Sequence, residues 1–424
     1  MNGKCLGDVS VSEQCDLTDE PSDLDLEGKS MIARSVSQMM KLPNVVNGAI
    51  STWFETRSLS CDIGVSPTVI VFGRLKTVAG CAGIVNLPAI LKCFIDDPNP
   101  RHDVDVKGMH YESRVYECVV ANMMTVPFFA FPYGVLSKKP CLSDNIEMAL
   151  VKYLQPDKRT RTVSRPDYAV CNYIVMEHCG SVSLDKRVRT CDGNTFIQLS
   201  LQMLSALKTL QENRITHNDM HWGNVLVKDG APSFFMDIKT GAVLPNDVSL
   251  LSAISLKAQF DTVRVDPGNL VKIFDWDVAV AHSLHDNPKT SVIGSHTQTF
   301  KKMYDTFGFL KSWLRVIKRY PGRKTEQNQA INEKCEAAFM GCFIDLHMKY
   351  PWVFELGRGE YSQTVCLPVE EGSKKESNEI MDYEDNCEAT WPEDMNDEYE
   401  LAVALFTSRL AQILPNSNRF ICLD

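Results

Sequence analysis

Residues 217–227 read HNDMHWGNVLV, a polar cluster followed directly by an apolar Val-Leu-Val segment. The apolar run is typical of a short buried strand. His217 and His221 have the H-x-x-x-H spacing of zinc-binding pairs on helices. Asp219 and Asn224 have a spacing that favours a different kind of site, and the rest of the chain decides between the two.

The bulk composition is that of a globular protein with more than one lobe. The chain has 424 residues, of which 44% are hydrophobic and 23% charged, which predicts a two-lobed core with tails. No stretch approaches the roughly 18 consecutive apolar residues of a membrane span. The net charge of −10 argues against general nucleic-acid binding, which needs a basic surface, and is compatible with a basic protein partner.

The N-terminal sequence and the cysteines predict a cytoplasmic or nuclear protein. The first residues are acidic and lack the apolar stretch of a secretory signal. The 15 cysteines are odd in number and include no C-x-x-C pair. We therefore expect buried free thiols in a reducing compartment.

The order of the predicted elements gives an α+β fold. Strands are predicted at 66–75, 88–95 and 172–178, and helices at 110–124 and 196–210. The chain is mostly helical from about residue 299. A strand-rich first part with one helix thus precedes a mainly helical second part, an arrangement in which ligands bind in a cleft between lobes.

Shifts in composition predict the domain boundaries. The acidic segments 1–30 and 369–400 are Ser-rich or highly charged and contain few large apolar residues, as disordered or solvated segments do. The predicted ranges are a disordered acidic tail at 1–30, an N-terminal helical extension at 31–66, a strand-rich lobe at 67–178, a helical lobe at 179–368 with an insertion at about 229–268, an acidic loop at 369–400 and a C-terminal helix at 401–424.

The 217–227 stretch resembles a protein-kinase catalytic loop, H-x-D-x-x-x-x-N followed by an apolar strand. In that family the aspartate faces the incoming hydroxyl, and the amide turns back to hold Mg²⁺ on the nucleotide phosphates. The resemblance implies that Asp219 is the catalytic base and Asn224 a metal ligand. It also implies ATP and Mg²⁺ as cofactors and a bilobal protein-kinase-like fold, with the two lobes as kinase N-lobe and C-lobe.

Further kinase-like segments occur in the expected order. VKIFDWDVAVA resembles the strand and turn usually written D-F-G, which makes Asp275 a Mg²⁺ ligand. AILKCF resembles the strand with the phosphate-binding lysine, which is then Lys92. ESRVYECVV resembles the helix whose glutamate pairs with that lysine, which is then Glu112. In isolation, Lys92 is compatible with an ordinary strand residue and Glu112 with a solvated helix face.

Two more segments resemble kinase elements around the nucleotide. YIVMEHCG resembles the strand that enters the interlobe hinge, with Met176 at the back of the adenine pocket. Glu177 to Cys179 would then offer backbone groups to the base. In MYDTFGFL, Asp305 resembles the aspartate that braces the catalytic loop.

The Gly-rich loop is the weakest part of the resemblance. VAGCAGIV keeps Gly80, Gly83 and Val85 of the family pattern, but Val78 stands where the first glycine belongs. Backbone N–H groups there would approach the phosphates. A Gly-containing linker with no phosphate role explains the segment equally well.

Within kinases, the stretch looks more like that of haspin-type atypical kinases and of kinases encoded by large DNA viruses. His221 replaces the lysine usual two residues after the catalytic aspartate, and Trp222-Gly223 follow it. No A-P-E sequence follows Asp277, and an insertion separates Asn224 from Asp275, as in that group. Location in a host cell or virion follows if the chain is viral.

Two alternative sites remain to be weighed. Asp237 has the spacing from Asn224 that ordinary kinases use, but Asp275 has the better flanking pattern and is preferred. A zinc site at His217 and His221 has no obvious third ligand and is disfavoured.

The resemblance implies ATP-dependent phosphoryl transfer to Ser or Thr of a protein, with a histone-like basic substrate possible. It implies neither direct nucleic-acid binding nor a membrane. One alternative is a small-molecule kinase of the aminoglycoside or choline type, which His221 favours mildly. Another is a nucleotide-binding pseudokinase scaffold, prompted by the degenerate Gly-rich loop and the altered D-W-D.

Overall fold

The computed structural model describes residues 26–46, 48–60, 68–76, 86–96, 103–118, 126–138, 170–244, 262–290, 298–319, 330, 333–335, 337–338, 341 and 397–414. The chain divides into two compact units. The first unit comprises Met1–Met109 and Phe131–His178, and the second comprises His110–Ala130 and Cys179–Asp424. Each unit contains helices and antiparallel sheet, so the predicted α+β class is confirmed.

A five-stranded antiparallel sheet forms the body of the first unit. Its strands are β1 (Phe54–Ser60), β2 (Thr68–Leu75), β3 (Leu87–Asp96), β4 (Pro132–Lys138) and β5 (Val170–Glu177), in the spatial order β1-β2-β3-β5-β4. Burial alternates along β2, as it does when one face of a strand covers a core. The central strand β3 is buried from Ala89 to Phe94, with neighbours on both sides. The strands predicted at 66–75, 88–95 and 172–178 are β2, β3 and β5.

The N-terminal segment differs from its prediction at both ends. Helix α1 (Leu26–Met39) begins inside the range predicted as a tail, and α2 (Pro43–Val46) follows. The apolar side chains of Val36 and Met39 are fully buried, and α1 contacts β4. The helical pattern predicted to continue beyond residue 46 gives way to β1, because that segment pairs antiparallel with β2. Such pairing is a tertiary interaction that local periodicity does not encode.

Helix α3 (Asp103–Cys118) contains the described part of the helix predicted at 110–124 and begins earlier than predicted, while residues 119–124 lie outside the described residues. Val106, Met109, Val115 and Tyr116 are buried along it. The residues of α3 from His110 onward belong to the second unit, and the earlier ones belong to the first.

Helices dominate the second unit. They include α4 (Leu184–Thr190), α5 (Gly193–Glu212), α6 (Tyr304–Arg319) and α7 (Asp397–Ile413). Helix α5 contains the helix predicted at 196–210, and most positions between Phe196 and Leu210 are buried. Asp192 caps this helix, because its side chain accepts a hydrogen bond of 2.7 Å from the backbone N–H of Thr195. The burial on all sides identifies α5 as the central helix of this unit.

Small antiparallel sheets complete the second unit. Their strands are β6 (Val182–Ser183), β7 (Ile215–Thr216), β8 (Val225–Lys228), β9 (Phe234–Asp237), β10 (Val243–Leu244), β11 (Thr262–Val265), β12 (Leu270–Ile273) and β13 (Val280–Ala281). The sheet β10-β9-β11 lies in the region predicted as an insertion, and β12-β8-β6 and β13-β7 frame the polar stretch at 217–224. The apolar run Val225–Val227, predicted as a short buried strand, is part of β8, and the segment that resembles the D-F-G strand contains β12.

Cysteine chemistry matches the prediction in part. Cys93, Cys179, Cys191 and Cys335 are buried free thiols. Cys171 is disulfide-bonded, which departs from the expectation of free thiols. Such a bond depends on spatial proximity, which the number and spacing of cysteines do not specify. Among the helices that the structure describes, none combines the length and apolar character needed to cross a membrane.

Candidate functional site

A β-ladder in the second unit fixes the backbone on which the candidate site is built. Strand β8 pairs antiparallel with β12 so that Val225 lies opposite Ile273. The ladder is extended by a hydrogen bond of 3.1 Å from the Phe274 N–H to the Asn224 carbonyl. Asn224 and Asp275 therefore lie at the same end of the β8–β12 pair, one before β8 and one after β12.

Asn224 is locked onto Asp219 through its amide group. Its Nδ2 donates to the Asp219 carbonyl at 3.0 Å and to the Asp219 carboxylate Oδ2 at 2.9 Å. Asn224 is buried, whereas the Asp219 side chain is 40% exposed. Two donated bonds fix which way the amide faces, so its Oδ1 points away from Asp219 and accepts no hydrogen bond from the residues described.

His221 completes a polar cluster with Asp219. Its Nε2 lies 3.4 Å from the Asp219 Oδ2, and its Nδ1 accepts a hydrogen bond of 2.9 Å from the Gly223 N–H. The hydrogen bond from His221 lowers the pKa of Asp219 below its ordinary value, against the effect of burial. The same hydrogen bond raises the pKa of His221, and the carboxylate of Asp275 adds to that increase. Because the His221 Nδ1 accepts the Gly223 N–H, the ring carries its proton on Nε2, which faces the ionised Asp219 carboxylate.

Asp305, in the first turn of α6, anchors the polar loop from beneath. Its Oδ2 accepts the His217 N–H at 2.6 Å, and its Oδ1 accepts the Asn218 N–H at 3.1 Å. Burial raises the pKa of Asp305, while these two backbone donors act to lower it. Asn218 has a left-handed backbone with φ of 66°, and its side chain donates to the Val278 carbonyl. The predicted bracing contact of Asp305 with the loop is thus present.

His217 links the loop to the Asp275 segment. Its side chain is fully buried, and its Nε2 lies 3.0 Å from the Phe274 carbonyl. Because a carbonyl only accepts, Nε2 carries the proton. The imidazole also contacts the Trp276 ring at a centroid distance of 4.7 Å. His217 is therefore a buried packing residue that joins the loop to the Asp275 segment.

Asp275 lies in a strained turn that α3 supports. Its φ is 70°, a left-handed conformation that is uncommon for residues other than glycine and often marks functional sites. The Asp275 N–H donates to the Tyr116 hydroxyl at 3.4 Å, and the next N–H, of Trp276, donates to Glu112 Oε1 at 3.3 Å. Glu112 and Trp276 are both fully buried. Glu112 is therefore a core carboxylate on α3 and not a solvated helix face.

Asp237, the alternative metal ligand, stabilises a backbone turn through its side chain. Its Oδ1 accepts hydrogen bonds from the N–H groups of Lys239 at 2.8 Å and Thr240 at 3.0 Å. This is an Asx turn, in which an aspartate side chain closes the backbone turn that follows it. The geometry favours Asp275 over Asp237 as the acid that accompanies Asn224.

The remaining predicted nucleotide residues lie mainly in the first unit. Lys92 lies on β3 opposite Ile174 and is 7% exposed, and Met176 and Glu177 are buried at the end of β5. Cys179, buried, is the first residue of the second unit in this part of the chain. Gly80, Gly83 and Val85 lie outside the described residues. The predicted pairing of Lys92 with Glu112 stays a prediction.

Glu177 departs from its predicted role in one respect. Its backbone N–H donates to the Phe131 carbonyl at 2.9 Å, so this N–H is not offered to a ligand. Its side chain is 1% exposed and forms an ion pair with Lys29. The strand edge beside β4 uses this N–H, and that pairing was not visible in the sequence because β4 was not predicted.

The donor set fits magnesium better than zinc. Within the described residues, no group of three or more His, Cys, Asp or Glu side chains could hold a metal ion. Mg²⁺ prefers oxygen ligands and keeps several waters, so one or two protein oxygens and substrate phosphates suffice. The outward Oδ1 of Asn224 and the carboxylate of Asp275 supply such oxygens at one end of the β8–β12 pair.

Comparisons with known proteins add no family assignment. No model of a known protein family matches the chain, and a search of curated proteins finds no significant match.

Sequence reasoning missed several residues that shape the site. Lys289 pairs with Asp277, and the side chain of Asn287 donates to the carbonyls of Asp277 and Ala279. These contacts hold the segment that follows Asp275. In the sequence, the polar character of Asn287 and Lys289 is the only sign of these contacts. The contacts depend on how the chain turns after Asp275, and residue spacing does not specify that turn.

Proposed function

We propose that the chain is an ATP-dependent kinase with a bilobal protein-kinase-like fold that phosphorylates Ser or Thr side chains of a protein. The observation that carries this proposal is the arrangement of Asp219 and Asn224 on one loop. The amide is fixed on the carboxylate, and buried Asp305 holds the backbone of the same loop. The five-stranded antiparallel sheet of the first unit and the central helix of the second are compatible with such a fold.

Asp219 is the proposed base. Its carboxylate is ionised at neutral pH, since the hydrogen bond from His221 lowers its pKa, and it is partly exposed. It accepts the proton of the incoming hydroxyl as that oxygen attacks the γ-phosphorus. The bond between the γ-phosphorus and the β–γ bridging oxygen breaks, and ADP leaves with the electron pair.

Asn224 and Asp275 are the proposed ligands of a magnesium ion. Bound there, Mg²⁺ would neutralise charge on the nucleotide phosphates. The two bonds from the Asn224 amide to Asp219 orient Oδ1, and the bonds from Asp275 and Trp276 to α3 hold the strained turn. Ligands held this way lose little entropy on binding. Asp219 and Asp275 raise the pKa of His221, and this ring would add positive charge beside the transferred phosphoryl group when it takes up a second proton.

Lys92 and the hinge strand β5 are the proposed nucleotide contacts of the first unit. Lys92 is assigned to the α- and β-phosphates and Met176 to the back of the adenine pocket. Both lie on neighbouring strands of one sheet, with Ile90 opposite Met176 and Lys92 opposite Ile174. The proposed role of Gly80, Gly83 and Val85 as a Gly-rich loop over the phosphates rests on the sequence alone.

A label-transfer assay with separate acceptors tests the proposal. The protein is incubated with γ-labelled ATP and Mg²⁺, in one arm with histones and other basic proteins and in another with aminoglycosides, choline and sugars. Label on Ser or Thr that is lost in Asp219→Asn supports a protein kinase. Label on a small molecule alone moves the assignment to a small-molecule kinase. Nucleotide binding without transfer to any acceptor supports a pseudokinase scaffold.

A further inference from the structure

Helix α1 places a charged residue on its apolar, buried face. Lys29, Val36 and Met40 follow one another at spacings of seven and four residues, which puts them on the same side of the helix. Val36 and Met40 are buried, and Lys29 is only 2% exposed. The buried face of the helix favours an apolar side chain at position 29. A buried ammonium group there is costly unless it has a partner.

The partner of the Lys29 ammonium group is Glu177, the last residue of β5. The Lys29 Nζ donates to the Glu177 Oε2, and the pair is buried on both sides. The other carboxylate oxygen, Oε1, accepts the Phe131 N–H at 2.9 Å, and the Glu177 N–H donates to the Phe131 carbonyl at 2.9 Å. Glu177 thus joins α1, the residue that leads into β4 and the end of β5, all within the first unit.

Lys29 is the cation that pairs with the buried Glu177 carboxylate. A buried carboxylate without a cation takes up a proton or moves toward water. Either change would disturb the Phe131 bonds that close the end of β5. The next residue, His178, packs its ring against Phe72 of β2 at a centroid distance of 6.2 Å. The backbone that leaves β5 is therefore held by Lys29 through Glu177 and by the contact of His178 with Phe72 of β2.

We propose that Lys29 is a positioning residue for nucleotide binding, which acts through Glu177 on the end of β5. This inference rests on the proposed kinase function, because the β5 end is the segment assigned to the adenine base. It makes α1, which lies outside the kinase-like region of the sequence, a necessary part of the nucleotide site.

The test compares Lys29→Met with Lys29→Arg, the double variant Lys29→Met/Glu177→Gln and the control Lys41→Met. Lys41 is exposed and lies in the turn that follows α1. Amide hydrogen exchange is measured at Phe131 and Glu177, and the Kd of a fluorescent ATP analogue with Mg²⁺ is measured in parallel. The KM for ATP and kcat are then obtained separately.

We expect Lys29→Met to speed exchange at both amides and to raise Kd and KM at least tenfold, or about 1.4 kcal/mol, with a smaller change in kcat. Lys29→Arg and Lys41→Met should stay within about twofold of wild type. The double variant has no unpaired buried charge, so its thermal stability should recover while its Kd remains raised.

Four results would overturn the inference. Unchanged exchange in Lys29→Met would show that Lys29 does not hold Glu177, whatever the nucleotide data. Unchanged Kd with faster exchange, or a double variant that regains wild-type Kd together with stability, would leave Lys29 a purely structural residue. A wild-type protein that binds no nucleotide contradicts the proposed function itself and removes the role of Lys29 with it.

Discussion

At the residue scale, the His221 imidazole packs so close to Gly223 that a side chain at position 223 would collide with it. A Cβ at position 223 would lie 2.7 Å from the His221 Cε1 and 3.0 Å from its Nδ1, so the ring must move. We expect Gly223→Ala to break the bond between the Gly223 N–H and His221, to displace His221 from Asp219 and to reduce phosphoryl transfer at least tenfold. Gly230→Ala is the matched control, because a Cβ there meets nothing within 4 Å. Equal activity in the two variants would contradict a role for the His221 position.

The Asp219–His221 pair also predicts a pH dependence. The pKa of His221 is raised from 6.5 by Asp219, so its contribution to stability is present below pH 6.5 and is lost as the pH rises through the folded-state pKa. The pKa of Asp219 is lowered from 3.8, so its contribution is present above pH 3.8 and is lost as the pH falls through the folded-state pKa. Both contributions are present between these two values.

The pair can be measured by NMR titration of the His221 ring. Asp219→Asn should lower the pKa of His221, because the largest cause of the raised value is removed. Asp229→Asn, an exposed acid beyond β8, should leave it unchanged. A His221 pKa that is the same in wild type and Asp219→Asn would show that the two side chains do not interact.

Asp305 is the residue whose replacement should damage the loop most directly. In Asp305→Asn, one of the two acceptors becomes an NH₂ group that faces a backbone N–H of His217 or Asn218. We expect the free energy of unfolding to fall by about 1–3 kcal/mol, the cost of an unsatisfied buried donor. Urea unfolding measures this, with Asp229→Asn as the control. A loss below about 0.5 kcal/mol would mean that the buried carboxylate does not hold the loop.

At the scale of elements, α5 depends on its cap. Asp192 accepts the Thr195 N–H at 2.7 Å, whereas Asp185 in α4 pairs on the surface with Arg189. We expect Asp192→Ala to lower the free energy of unfolding by about 1 kcal/mol and Asp185→Ala by about 0.5 kcal/mol or less. Thermal or urea unfolding of both variants decides. Equal losses would mean that capping contributes no more than an exposed ion pair.

Elements with strong local patterns were predictable, and those defined by pairing were not. The apolar stripe of α5 and the β-branched runs of β2, β3 and β5 have periods that sequence alone displays. By contrast, β1 follows a helical pattern in the chain, and β6, β7 and β10 have two residues each. Such strands exist because partners lie beside them, which only the folded chain provides.

At the scale of the whole molecule, the sequence placed the polar loop and the Asp275 turn as separate segments, and the fold joins them. The β8–β12 register and the bond from Phe274 to Asn224 bring them to one ladder end. The spacing of Asp219 and Asn224 was enough to predict that these two residues belong to one candidate site, because both lie on the same loop. It did not predict Lys29, because a cation on an apolar helix face has meaning only once Glu177 is known to be buried against it.

The most direct measurement is the initial rate of label transfer from γ-labelled ATP with Mg²⁺ to Ser or Thr, compared among wild type, Asp219→Asn and Asp229→Asn. We predict transfer by wild type and Asp229→Asn, and a rate at least a hundredfold lower for Asp219→Asn, which corresponds to about 2.7 kcal/mol of transition-state stabilisation. Equal rates for Asp219→Asn and wild type, or no transfer by any of the three to any acceptor, would contradict phosphoryl transfer at this site.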